Sequence, residues 1–368
     1  MKDRTVRFND LAIRDDDLSR DIDDAIRRVV ASSWYVLGPE VEAFEEEFRC
    51  ASGTKHGVGV ASGTDAISLS LLALGVRPGD EVVTSPLTAA FTALAISRLG
   101  ARPVFADVEK DTLTLSPESV RDRITSRTKS IVPVHLYGNA CDMDALMSLA
   151  EQHGLHVVED ACQAHGARFR GKPLGSFGHA GAFSFYPTKN LGALGDGGFI
   201  ATDDKTLAAH LKRLRNGGQS SRYVHESIGF NSRLDELQAA VLRAKLPHLE
   251  RGNDRRREIA KRYVGALEGT ELVPVAMREI AVSARHLFVV KTPSRDSLEK
   301  YLGEHGIQTL VHYPVPVHLQ PAYRGLEQGE GSCPVAEAAA KSIVSLPLYP
   351  SMADDDVDYV IDLLRASP

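Results

Sequence analysis

The stretch Ser184-Phe185-Tyr186-Pro187-Thr188-Lys189-Asn190-Leu191, followed by the glycine-rich run 192–198, decides how the rest of the chain is read. An apolar strand is expected over 181–186. Pro187 stops it, because proline has no N–H to offer a ladder, and the glycines after Leu191 cannot sustain a helix. Lys189 therefore falls at a strand end rather than on a solvated helix face. Burial there disfavours the ammonium form, and the neutral amine that results can attack a carbonyl and form a Schiff base. A lysine taken alone is more often a solvent-facing charge, so the weight rests on what accompanies it.

The 368 residues, 43% hydrophobic, suffice for a substantial core and suggest two domains. A net charge of -6 without a long basic run argues against nucleic acid as a partner. No apolar run is long enough to cross a membrane and the polar start 1–10 is no secretory signal, so a soluble, cytoplasmic protein is expected. Cys50, Cys141, Cys162 and Cys333 form no CxxC pair; buried free thiols are expected, not a zinc site or a disulfide framework. The acidic clusters 15–17 and 354–356 read as helix starts or solvated charge, not as metal ligands.

Amphipathic helices are expected over 17–32 and 40–50, and from His56 onward short apolar runs alternate with helical segments. Strands are read at 57–60, 81–84, 102–108, 130–135, 156–159, 181–186 and 198–202, with helices at 65–74, 89–99, 117–124, 143–153 and 205–215. This alternation predicts an α/β fold with a mainly parallel seven-stranded sheet, whose sites gather at the carboxyl ends of the strands. Helices follow at 237–247 and 253–267, then a smaller α+β unit with a strand at 286–291 and helices at 295–305 and 354–365. The expected organisation is an N-terminal helical segment 1–35, a large domain 36–246 and a small C-terminal domain 247–368. The prolines of His312-Tyr313-Pro314-Val315-Pro316-Val317-His318 make that segment an extended loop.

Ser62-Gly63-Thr64 lies between a strand and a helix, where backbone N–H groups, hydroxyls and the helix dipole converge as a phosphate cradle; a plain helix cap by Thr64 is the alternative. Neither a nucleoside triphosphate loop nor a nicotinamide fingerprint is present. Asp160 closes the apolar strand 156–159, where a carboxylate can pair with a protonated ring nitrogen such as that of pyridoxal phosphate. Gln163 and His165 follow, an amide able to bond a phenolic oxygen and a histidine more often structural than catalytic. Cradle, strand-end carboxylate and strand-end lysine occur in that chain order.

These segments, together with Gly38-Pro39-Glu40-Val41, 61–66, 133–138, 159–166, 184–198 and 231–239, resemble the DegT/DnrJ/EryC1/StrS family of pyridoxal phosphate-dependent sugar aminotransferases, from about residue 36 to the C-terminus. The resemblance implies a fold-type I aminotransferase, usually a homodimer with its active sites at the subunit interface. It implies that Lys189 carries the cofactor and moves a proton between cofactor and substrate carbons. It further implies Asp160 on the ring nitrogen, Gln163 near the ring hydroxyl, Ser62, Gly63, Thr64 and Ser184 on the phosphate, and Asn231 on the phosphate in the neighbouring subunit. His165, Tyr186, His312, Tyr313 and His318 are the candidate substrate contacts, the histidines packing against prolines being the alternative. The tracts 183–198 and 312–323 resemble enzymes that aminate the 3-keto position of dTDP-linked deoxysugars, with an amino acid such as L-glutamate as donor.

One departure stands out. Where relatives carry an aromatic residue after the threonine of Pro86-Leu87-Thr88, this chain has Ala89, and Phe91 is the nearby aromatic left to stack on the cofactor ring. A 4-keto sugar nucleotide or a cyclitol ketone is the alternative acceptor. A sugar dehydratase of this fold is disfavoured by Lys189, which such enzymes replace with histidine. A non-catalytic binding or regulatory relative is the alternative of another class.

Overall fold

The structure, a computed structural model, describes residues 4–367. Its centre is a seven-stranded sheet of β1 (His56–Val60), β2 (Glu81–Thr84), β3 (Arg102–Phe105), β4 (Thr128–Val132), β5 (His156–Asp160), β6 (Ala180–Ser184) and β7 (Gly198–Thr202). In space they run β1, β7, β6, β5, β4, β2, β3. Neighbours from β6 to β3 are parallel, and β7 lies antiparallel to both β6 and β1. This is the predicted mainly parallel α/β sheet.

The strand centres are apolar on both faces because successive side chains enter two different cores. Val83, Ile131, Val157 and Phe199 pack with α2 (Pro39–Ala51) and α6 (Met143–His153). Their neighbours Val82, Val132, Val158 and Ile200 pack on the opposite face with α3 (Gly63–Ala73), α4 (Phe91–Ser97) and α7 (Lys205–Leu214). On the first face Phe48 meets Phe183, Phe185 and Phe199 edge-on, with centroids 5.1, 5.2 and 4.8 Å away. Such pairs contribute about 0.5–1.5 kcal/mol each beyond area burial. Phe44 and Phe48 are core residues, as their spacing predicts.

β3 stops at Phe105, short of the predicted 108, because Asp107 turns to accept the N–H groups of Val335 and Ala336 at 2.9 Å. Those amides open α11 (Pro334–Ser342), a helix that sequence periodicity did not reveal. Its buried face is alanine (Ala336, Ala339, Ala340), too small to stand out as an apolar stripe. The C-terminal unit is an antiparallel sheet of β8 (Val273–Pro274), β9 (Phe288–Lys291) and β10 (Ile343–Leu346). α9 (Leu249–Ala266), α10 (Arg295–Glu304) and α12 (Asp354–Arg365) share its core, to which Val6 also belongs. A further cluster joins Leu87, Phe105 and Tyr137 to Val289, Val317 and Tyr323, so packing is continuous across residue 246.

Asp15 caps α1 (Asp16–Ser32) through the N–H groups of Asp17 and Leu18, and 354–356 form the first turn of α12, as the acidic clusters suggested. The cysteines are all free, but Cys50 is exposed and Cys162 half-buried, which corrects the expectation of uniformly buried thiols.

Candidate active site

Asp160 and Ser184 are the last residues of the adjacent parallel strands β5 and β6, so both reach the same edge of the sheet. Glu159, one residue earlier, points to the other face. There its buried carboxylate accepts the N–H groups of Gly175, Phe177 and Gly178 at 2.7, 2.6 and 2.8 Å and meets Nε2 of His135 at 3.0 Å. These contacts fix the strand end from which Asp160 projects.

The Asp160 carboxylate is buried, 6% exposed, and held by neutral donors alone: the Thr92 hydroxyl donates to Oδ2 at 2.7 Å and the Cys162 N–H to Oδ1 at 3.2 Å. Among the described residues no arginine, lysine or histidine lies within ion-pairing distance of it. Lys189 follows the turn in which its own N–H donates to the Tyr186 carbonyl at 2.8 Å. Its ammonium is close enough to Asp160 to feel its charge, yet forms no ion pair or hydrogen bond among the described residues. Burial lowers its pKa, and the charge of nearby Asp160 opposes that shift. A buried carboxylate and a half-buried amine, each without a counter-ion, share one strand-end site.

Beside them, α3 begins. Ser62 caps it, its Oγ accepting from Asp65 N at 3.1 Å. A Cβ on Gly63 would stand 2.7 Å from both Cys162 Sγ and Ser184 Cβ, so only glycine brings the helix start this close to β6. The free N–H groups of the first turn, at Gly63 and Thr64, thus open next to Ser184 and Lys189's neighbour Cys162. The cap is therefore Ser62, not the expected Thr64, which lies within the first turn, and the backbone amides remain for an anion.

Gln163 links two chain segments: its Oε1 accepts from Tyr137 N at 2.7 Å and its Nε2 donates to Tyr313 OH at 3.2 Å. Burial raises the Tyr313 phenol to about 12 and, with the Lys189 charge, lowers the His312 imidazole to about 4. The His312 ring stacks on Phe8 and meets Ser345 Oγ at 2.9 Å. His165 is fully buried among Phe48, Phe183 and Phe185, and its two ring nitrogens have no hydrogen-bond partner. The Ser184 backbone approaches that ring at a geometry too poor for a hydrogen bond. Burial and then the Lys189 charge lower its pKa to about 3.

Tyr186, 51% exposed, stands at the rim of the same turn, and Phe91, 62% exposed, opens α4 beside Thr92. Asn231 is exposed, while the next residue, Ser232, ties this segment to the cradle by bonding Ala61 N at 3.1 Å and Asp65 Oδ2 at 2.7 Å. His318 is not brought to Lys189; it is buried against Phe105, with Nε2 3.0 Å from Glu337 Oε1. Thr92, Asn190 and His286 belong to the site without having been legible in the sequence. Asn190 donates to Asn253 Oδ1 and to the Ala284 carbonyl, both at 2.8 Å, and its Oδ1 lies 3.0 Å from His286 Nδ1. The one available signal was that Asn190 directly follows Lys189. A groove of about 710 Å³ includes His156, the first residue of β5, and so lies at the opposite sheet edge from Asp160.

The fold is that of a fold-type I α/β aminotransferase. Comparison with known proteins narrows this. The sequence profile of the DegT/DnrJ/EryC1/StrS aminotransferase family matches residues 16–365, and the chain belongs to that family. It is 50% identical to the erythromycin biosynthesis sensory transduction protein EryC1 of Saccharopolyspora erythraea, over 98% of this chain and 99% of that one. It is 49% identical to the dTDP-3-amino-3,4,6-trideoxy-alpha-D-glucose transaminase of Streptomyces venezuelae, over 98% and 95%. Among solved structures, S. venezuelae DesV superposes with a TM-score of 0.96 at 48% identity, covering 98% of both chains. NtdA of Bacillus subtilis, with bound cofactor PMP, superposes with a TM-score of 0.90 at 31% identity, covering all of this chain and 86% of that one. Among the described residues no helix is long and apolar enough to cross a membrane.

Proposed function

We propose that this protein is a pyridoxal phosphate-dependent aminotransferase that moves the amino group of an amino acid, L-glutamate, to a keto sugar nucleotide, a dTDP-3-keto-6-deoxyhexose. The observation that carries the reading is the pairing of Asp160 and Lys189. A buried carboxylate without a cation, next to an amine whose pKa burial has lowered, fits a ligand bearing a protonated ring nitrogen and an aldehyde. The tight approach of Gly63 to Ser184 leaves first-turn amides for its phosphate.

When bound, pyridoxal phosphate supplies a ring that withdraws electrons from the substrate carbon losing its proton. Asp160 holds the proton on the ring nitrogen, and the amides of Gly63 and Thr64 with the Ser184 hydroxyl hold the phosphate. Gln163 keeps one Nε2 hydrogen for the ring oxygen while it fixes Tyr137 and Tyr313. Lys189 Nζ, as the neutral amine, would take the proton from the donor's α-carbon and deliver it to the cofactor carbon that had borne the aldehyde. His312, Tyr313 and Tyr186 border the approach available to a hydroxyl-rich acceptor. Exposed Asn231 is assigned to the phosphate of a second copy in a homodimer, and Phe91 is left to close over the ring where Ala89 offers no aromatic.

Relatives named as transaminases of dTDP-linked amino sugars support the acceptor class. Relatives named sensory transduction protein and pleiotropic regulatory protein support the second reading, a regulatory protein. The test is the absorption spectrum of purified protein with added pyridoxal phosphate, before and after L-glutamate, for wild type and Lys189→Ala. The reading requires a visible coenzyme band that glutamate abolishes and that the mutant lacks; a colourless wild type would favour the regulatory protein.

A further inference from the structure

Thr92 sits one residue into α4, a helix whose start at Ala90 has no side-chain cap. Buried serines and threonines in helices commonly turn their hydroxyl back to a helix carbonyl, as Ser70 does here to the Ala66 carbonyl at 2.7 Å. Thr92 instead spends its hydroxyl on a different element, donating to Asp160 Oδ2 at 2.7 Å, with both residues almost completely buried. The other oxygen, Oδ1, is held by Cys162 N–H. Two donors, one on each oxygen, fix the rotation of the carboxylate, and no cation among the described residues lies within ion-pairing distance of it. The Thr92 bond is thus a charge-assisted one in a dry site, where such bonds are strongest.

We propose that Thr92 is a positioning residue for the aminotransferase reaction: its hydroxyl sets the plane and charge of the Asp160 carboxylate that receives the cofactor's ring nitrogen. This rests on the function proposed above. It also gives α4 a second task. With Ala89 offering no aromatic and Phe91 62% exposed, the carboxylate contact arranged by Thr92 would carry a larger share of ring binding.

The experiment compares wild type, Thr92→Val, Thr92→Ser and Thr92→Ala by titrating each apoprotein with pyridoxal phosphate. It then follows the coenzyme absorption of each holoprotein against pH. Removing the hydroxyl in Thr92→Val should raise the dissociation constant roughly tenfold or more. The pH at which the bound ring loses its proton should shift, because its partner carboxylate loses a hydrogen-bond donor and with it the fixed rotation. Thr92→Ser, which keeps the hydroxyl, should restore both. Should the valine variant not fold, Thr92→Ala gives the same contrast with a residue that favours helix. Wild-type affinity and an unchanged pH profile in the valine or alanine variant would overturn the proposal while leaving the aminotransferase reading intact. A wild type that takes up no pyridoxal phosphate would overturn both.

Discussion

Asn190 Oδ1 lies 3.0 Å from His286 Nδ1, and this contact ties the residue after Lys189 to the segment leading into β9. The same side chain donates to Asn253 on α9 and to the Ala284 carbonyl. His286 is buried, and burial followed by the charge of Lys189 and Arg256 holds its imidazole well below the usual histidine range. Asn190 thereby bolts the lysine turn to the C-terminal unit. Asn190→Ala leaves three buried polar groups without their partner, each costing about 1–3 kcal/mol, less what water recovers. The expected loss is about 2–4 kcal/mol in denaturant unfolding of the apoprotein. A loss below 1 kcal/mol would show that this junction is not held by Asn190.

His165 predicts a pH dependence. Its folded-state pKa, about 3, is below the unfolded value of 6.5, so between these limits the unfolded chain binds the extra proton. Stability is then fully present above pH 6.5 and declines as pH falls towards 3, by up to about 1.4 kcal/mol per unit from this group. His165→Phe removes that slope and breaks no ring hydrogen bond, because the imidazole makes none. Urea unfolding at pH 7.5 and 5.0 should show a smaller acid loss in the variant. Equal losses in the two proteins would refute a buried neutral His165.

Gly63→Ala should close the cradle. The added Cβ meets Cys162 Sγ and Ser184 Cβ at 2.7 Å, and of the two Ser184 stands on a fixed strand end. Overpacking of this kind costs about 1–3 kcal/mol. Inorganic phosphate and pyridoxal phosphate should both bind more weakly, measured by calorimetry. Adding Cys162→Ala to the variant should restore binding only in part, since the Ser184 contact persists.

Glu236, at the start of α8 (Glu236–Lys245), is a buried carboxylate that accepts the N–H groups of Gly38, Glu40 and Val41 at 2.8, 2.9 and 2.9 Å. It supplies from 196 positions away the cap that Gly38 lacks for α2. Glu236→Ala strands these amides, and a loss of about 2–4 kcal/mol is expected in thermal or urea unfolding. Glu236→Gln, with one acceptor oxygen, should fall between.

The sheet was legible in the sequence because its strands are short runs with an apolar centre, set between helical segments, and all seven were found within a few residues. Lys189, Asp160 and the cradle were legible for a related reason: strand ends and helix starts are local events, marked by Pro187, by the close of 156–160 and by Ser62-Gly63-Thr64. α11 was not, since alanines that fit a narrow space leave no amphipathic trace.

What the sequence determined was therefore which residues stand at strand ends and helix starts. Only the tertiary structure decided which neighbours they acquire. Thr92 reaches Asp160 across 68 positions, Gln163 reaches Tyr313 across 150, and His318 turns to Glu337 instead of Lys189. Such contacts depend on how strands order themselves in space and on which face of a helix is buried against them. No local spacing encodes either, because the free energy that selects them comes from burying both faces of one sheet at once.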